Sequence, residues 1–114
     1  MGITRYQVGP RLSQAVVHGD TVYLAGQVSA DAPTVKGQTE QILKKIDGLL
    51  AGAGSGKSKL LSATIYLANV ASYDEMNAAW DAWVDPANTP ARATVEARLA
   101  APRYLVEIAA VAAI

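Results

Sequence analysis

The chain has 114 residues, of which 51% are apolar and 18% charged; ten Lys/Arg balance ten Asp/Glu, there is no cysteine, and His18 is the one histidine. This excludes disulfides, thiol nucleophiles and Cys-based metal sites, and leaves one chain without the residues for a His-based metal site or a Ser-His-Asp triad. The zero formal net charge and the lack of a Lys/Arg stripe give no support to a nucleic-acid partner or an anionic membrane surface.

At this length folding buries roughly two-thirds of the unfolded chain's surface, so residues 1–114 are expected to form a single domain. Alanine supplies much of the apolar share, which implies a thin, closely layered core. No apolar stretch approaches the ~18–20 residues of a membrane span, and the N-terminus has no basic-then-apolar leader pattern, so the cytoplasm is the expected location.

Along the chain, a short strand is expected near Ile3 to Tyr6. Ser13-Gln14-Ala15-Val16-Val17 and Thr21–Val28 read as hairpin strands around the turn His18-Gly19-Asp20. A loop at Asp31 to Pro33 follows. From about Val35 to Ala53, Ile42, Leu43, Ile46, Leu49, Leu50 and Ala53 recur at helical spacing, and Gly52 and Gly54 end the helix. Leu60 to Ala68 reads as a strand with Leu61, Ala63, Ile65 and Leu67 on one face. Ser72-Tyr73-Asp74-Glu75 has the capping-box pattern, starting a helix whose apolar stripe is Tyr73, Met76, Trp80 and Trp83. Two further strands run from about Ala91 to Leu99 and from Tyr104 to Ala112. The order β-β-α-β-α-β-β is an α+β pattern in which two helices cover one sheet face; the other face meets solvent or another subunit.

The chemistry concentrates in the last two strands. Arg92, Thr94, Glu96 and Arg98 alternate with Ala91, Ala93, Val95, Ala97 and Leu99, so Arg92 lies beside Thr94 on a polar face. Glu107 is the lone charge in the apolar run from Tyr104 to Ile114, where an unpaired carboxylate is costly to bury. Paired as an antiparallel hairpin, the two strands bring Arg92 and Glu107 to one face or its rim. There, a planar guanidinium suits a carboxylate ligand. Two readings stand side by side: a clamp on a small anion, or an ion pair with no substrate. Asn77, beside the stripe of the second helix, makes either a helix–sheet hydrogen bond or a ligand contact. Gly54-Ser55-Gly56-Lys57-Ser58 has a phosphate-loop look, but Ala51 stands where that motif needs glycine, and a helix precedes it where a strand should.

Thr89-Pro90-Ala91-Arg92-Ala93-Thr94-Val95-Glu96 followed by Val106-Glu107-Ile108 resembles the C-terminal signature of the RidA/YjgF family of reactive-intermediate (enamine/imine) deaminases. The likeness extends to Val22-Tyr23-Leu24-Ala25-Gly26-Gln27, Ala63-Thr64-Ile65-Tyr66-Leu67 and Met76-Asn77-Ala78-Ala79-Trp80, and covers the chain from about Arg11. Arg11-Leu12-Ser13 and Trp80-Asp81-Ala82-Trp83 are closest to the YoaB-like branch. The resemblance implies a chorismate-mutase-like mixed sheet with two helices on one face, a homotrimer, and pockets between subunits. It implies cofactor-free, metal-free hydrolysis of 2-aminoacrylate-type enamines and 2-imino acids to 2-keto acids and ammonia, with the small 2-imino or 2-keto acid as ligand. Under it Arg92 holds the substrate carboxylate and Glu107 orients water at the imine carbon. Gly26 and Thr94 contact ligand partly through the backbone, and Asn77 faces the pocket. Glu107 is then expected in an intersubunit cleft beside Arg92. Thr94 stands where the best-known members often carry Cys, and Leu12 near where they carry a pocket Tyr, which puts substrate range and rate in question. The alternatives are a non-catalytic trimer that binds small carboxylates as a sensor or chaperone-like partner, and an endoribonuclease, which the neutral charge disfavours.

Overall fold

The computed structural model describes residues 2–114. Six strands and two helices follow one another as β1 (Ile3–Val8), β2 (Ser13–His18), β3 (Thr21–Gln27), α1 (Val35–Gly52), β4 (Leu60–Leu67), α2 (Tyr73–Trp83), β5 (Ala91–Glu96) and β6 (Val106–Ala113). The strands form one mixed sheet in the order β1-β2-β3-β6-β4-β5. This is the expected α+β pattern, with the extra N-terminal strand present as β1.

The connections explain that order. β1, β2 and β3 form an antiparallel meander, with Gly19 at φ 65° in the tight turn between β2 and β3. β3 and β4 each run antiparallel to β6, so they are parallel to one another, and the α1 crossover joins them. The α2 crossover sets β5 parallel to β4, leaving β5 at the edge of the sheet.

The hairpin expected between the last two strands is therefore absent, because β4 lies between β5 and β6. A helix-length crossover favours parallel neighbours, and β6 fills the gap left between β3 and β4.

One sheet face is covered by both helices. Ala15, Val22 and Leu24, then Ala63, Ile65 and Leu67, then Val106, Ile108, Ala110 and Ala112 pack there against Ile42, Leu43, Ile46, Leu49 and Leu50 of α1 and Met76 and Trp80 of α2. Strict alternation along β6 leaves Glu107, Ala109 and Val111 on the opposite, helix-free face. Leu61 departs from the expected pattern: a register shift between Leu60 and Ser62 puts Leu60 into the core and leaves Leu61 half exposed at 52%.

Two caps differ from the local sequence signal. Ser72 precedes α2, but its side chain makes no cap bond to the helix; its hydroxyl donates to the Asn69 carbonyl at 2.7 Å. Glu75, expected to complete that box, instead accepts the Lys36 backbone N–H at 2.9 Å and caps α1, where Thr34 also accepts from Gly37. Tertiary contact has taken over a residue placed for a local motif. Glu75→Ala should accordingly destabilise the fold by about 0.5–2 kcal/mol, measured by urea unfolding. An unchanged midpoint would show that the cross-helix cap contributes nothing.

Inside α1, Gln38 is 2% exposed yet fully used. Its amide donates to the Ala32 and Arg103 carbonyls and its oxygen accepts from the Leu105 N–H, tying the helix start to the entry of β6. Asp85 organises the turn into β5. The Asn88 side-chain amide, and then the Ala87 N–H, hold its carboxyl below the ordinary carboxylate value.

Candidate functional site

Arg92 sits on edge strand β5, opposite Ala63 of β4, and so on the helix-covered face. Its guanidinium is gripped by α2: one nitrogen donates to Asn77 Oδ1 at 2.8 Å and another to the Tyr73 hydroxyl at 3.1 Å. The Trp80 ring lies 5.2 Å from the guanidinium carbon and the Tyr73 ring 5.7 Å away. Helical spacing makes this grip possible, because residues at 73, 77 and 80 project on one side of α2. Tyr73, expected in the apolar stripe, is 43% exposed and serves as a rim; Trp80, at 5%, is both core and floor. Trp83 is half-buried, donating to Asp47 at 3.0 Å.

Both hydrogen-bond acceptors of Arg92 are neutral, so its charge remains available to an anion. Thr94, two residues on, shares its face. The Thr94 Oγ1 is shielded from solvent and has no hydrogen-bond partner among the described residues. An orphaned buried hydroxyl costs about 1–3 kcal/mol. A ligand or neighbouring chain that supplied a partner would recover that cost.

Glu107 lies elsewhere. It pairs with Tyr66 of β4, three residues from the Ala63 that pairs with Arg92, and an odd separation along a strand means opposite faces. Within one chain Glu107 is therefore turned away from Arg92, and the expectation that both line one sheet face is overturned. The reason is topological: the hairpin that would have aligned them does not form.

On the open face Glu107 meets Gly26. A register shift between Leu24 and Gln27 marks a bulge in β3, and the Glu107 carboxylate occupies the space where a Gly26 side chain would be. The two residues share a depression of about 430 Å³ with Tyr66 and the segment Ala97 to Ala100. Arg98 is in that segment. The alternation along an expected strand to Leu99 places Arg98 on the same face as Arg92, but β5 ends at Glu96. The last tie to β4 is the Ala97 N–H to the Leu67 carbonyl at 2.9 Å. The chain bends after it, and Arg98 enters the Glu107 depression.

The expected site residues thus form two groups. Arg92, Thr94 and Asn77 assemble at the β5–α2 edge; Glu107 and Gly26 assemble on the open face. Leu12, 52% exposed ahead of β2, belongs to neither assembled cluster and lies at the Gly26 end of the β2–β3 ladder. The open face carries exposed Tyr23 and Val95 beside small residues, and no helix covers it.

A family model described as endoribonuclease L-PSP matches residues 3–114. The chain belongs to this family, also known as YjgF or RidA. It is 50% identical to a RutC family protein of Haemophilus ducreyi, over 98% of this chain and 97% of that one. It is 44% identical to the RutC family protein YoaB of Escherichia coli, over 100% of each. The crystal structure of a YjgF-family protein from Neisseria meningitidis matches with a TM-score of 0.98 at 45% identity, covering 99% of this chain and 95% of that one. The YjgF/RidA fold and the likeness to YoaB both agree with the C-terminal Arg-and-Glu signature.

Proposed function

We propose that the protein hydrolyses 2-aminoacrylate-type enamines and 2-imino acids to 2-keto acids and ammonia, at a site completed between copies of the chain in a homotrimer. The observation that carries this reading is the Arg92 cluster, a cation held by neutral partners beside a buried hydroxyl that has no partner among the described residues. A small carboxylate suits the Arg92 fork, and the backbone groups of Thr94 at the free β5 edge offer it a second contact.

The reaction asks for positioning, a polarised water and proton movement. The enamine first takes a proton from solvent at its terminal carbon to give the iminium form of the imine. Water oxygen then bonds to the imine carbon while one water proton passes to Glu107, leaving a neutral carbinolamine. Glu107 returns this proton to the nitrogen, the C–N bond breaks with its electron pair leaving on ammonia, and the keto C=O forms as the hydroxyl proton is released to solvent, replacing the one taken up at the start. One water is consumed per imine, and no electrons are exchanged. Since one chain holds Arg92 and Glu107 on opposite faces, a second copy must bring the Glu107 face to the Arg92 edge. The uncovered sheet face is the surface available for that contact.

The test is a threonine or serine dehydratase reaction with the protein added. Keto-acid release should accelerate, and Arg92→Ala should lower the effect about 100-fold or more. No acceleration with excess wild-type protein would overturn the deaminase reading. Calorimetric binding of 2-ketobutyrate without turnover would favour the binding-only alternative, which Leu12 supports. The family's ribonuclease description transfers poorly to a chain of zero net charge; an RNA gel shift across a salt series checks it.

A further inference from the structure

The Glu107 depression contains a second cation that the proposed reaction does not use. Arg98 follows the anchored Ala97 directly, so its backbone position is set by the end of the β4–β5 ladder. It lines the same depression as Gly26, Tyr66 and Glu107, and is itself exposed. Arg92 is held by two hydrogen bonds and two aromatic rings; Arg98 has no side-chain hydrogen bond among the described residues and lines the same depression as the Glu107 carboxylate.

A substrate whose carboxylate is held by Arg92 must extend its side chain across the reacting carbon. In the composite site proposed above, that side chain enters the depression around Glu107. A short alkyl side chain would desolvate Arg98 and give it nothing in return. A distal carboxylate alone would be repelled by Glu107. A distal carboxylate with Arg98 present gains a planar, doubly donating partner that offsets the repulsion.

We propose that Arg98 is a specificity-determining residue that admits a second carboxylate, so that the site favours 2-imino dicarboxylic acids, and their 2-keto products, over monocarboxylates. This rests on the composite site for the source of Arg92, while the depression and its Arg98 belong to one chain.

Stable keto acids test it without catalysis. Calorimetry compares 2-ketobutyrate with 2-ketoglutarate on the wild type, Arg98→Ala and Arg98→Lys. The wild type should bind the diacid about tenfold more tightly. Arg98→Ala should remove that preference by weakening the diacid while 2-ketobutyrate binds as well as before or slightly better; Arg98→Lys should keep part of it. An equal loss for both ligands would overturn the proposal, because Arg98 would then only orient Glu107. Absence of a preference in the wild type, or of binding by either acid, would overturn it as well. The dehydratase assay separates the two readings. Failure to accelerate imine hydrolysis alongside an Arg98-dependent diacid preference removes the deaminase and keeps the specificity site. Acceleration without the preference does the reverse.

Discussion

Arg92→Ala and Glu107→Ala chains, each inactive alone, should regain about one quarter of wild-type turnover when refolded together in equal amounts. The fraction follows from the separation of the two residues onto opposite sheet faces. A site that draws its arginine from one copy and its glutamate from the next is intact only when the first copy carries Arg92 and the second carries Glu107. Random mixing gives each condition a probability of about one half, and their product is the recovered fraction. A site contained in one chain would regain nothing, since every chain in the mixture lacks one of the two groups. The measurement is keto-acid release in the coupled dehydratase assay, with each variant refolded alone as the control. No recovery above those controls would end the two-copy reading. The design has the advantage that both variants keep the core intact: Arg92 is at the sheet edge and Glu107 is on the uncovered face.

Gly26→Ala should cost at least ~100-fold in kcat while leaving the fold intact, because displacements of about 1 Å at a reacting group have consequences of that size. The added methyl would stand 2.9 Å from the Glu107 carboxyl carbon and 3.2 Å from its Cγ, closer still to one oxygen. What it meets is the end of a flexible side chain, so the carboxylate moves and the backbone stays. Gly26 is not among the positive-φ residues, which are Gln7, Gly19 and Gly54. Glycine is therefore required there for space and not for its conformational range. Stability should change by less than about 1 kcal/mol in urea, the ordinary range for an exposed substitution. The affinity for 2-ketobutyrate, assigned to Arg92 in the proposed site, should change little. A Gly26→Ala protein with full kcat would show that the Glu107 position is immaterial to turnover.

Much of this architecture is legible in the sequence because it depends on periodicity. Ile42, Leu43, Ile46, Leu49 and Leu50 recur at helical spacing and are all buried. The alternation in β6 is kept in the structure, where Glu107 shares the less buried face with Ala109 and Val111. Tight-turn glycines and the proline after α2 mark the remaining boundaries. What periodicity lacks is pairing. Nothing in Ala91 to Glu96 says that its neighbour is β4 and not β6, so the placement of Arg92 and Glu107 on opposite faces could not be read locally.

The other differences have the same origin. The bulge that exposes Leu61 exists only against β6. Glu75 has a local role open to it at Ser72, but α1 offers it a better one. Arg98 alternates correctly as far as a strand lasts, and the strand stops two residues earlier. The one available signal for that bend is the Ala-Ala-Pro run at 100–102, poor material for a strand.

The edge position of β5 has a consequence for solubility. One side of this strand pairs with β4, and the backbone groups on the other are free to template a foreign strand. Charged side chains on edge strands oppose such growth, and β5 carries two, Arg92 and Glu96, among alanine, threonine and valine. The arginine of the proposed substrate clamp is thus also a guard against aggregation of the chain. Replacing it with leucine would remove one of the two edge charges and add an apolar side chain in its place. A precipitating Arg92→Leu protein would then report on the strand edge and say nothing about chemistry, whereas Arg92→Lys keeps the guard and tests the guanidinium alone.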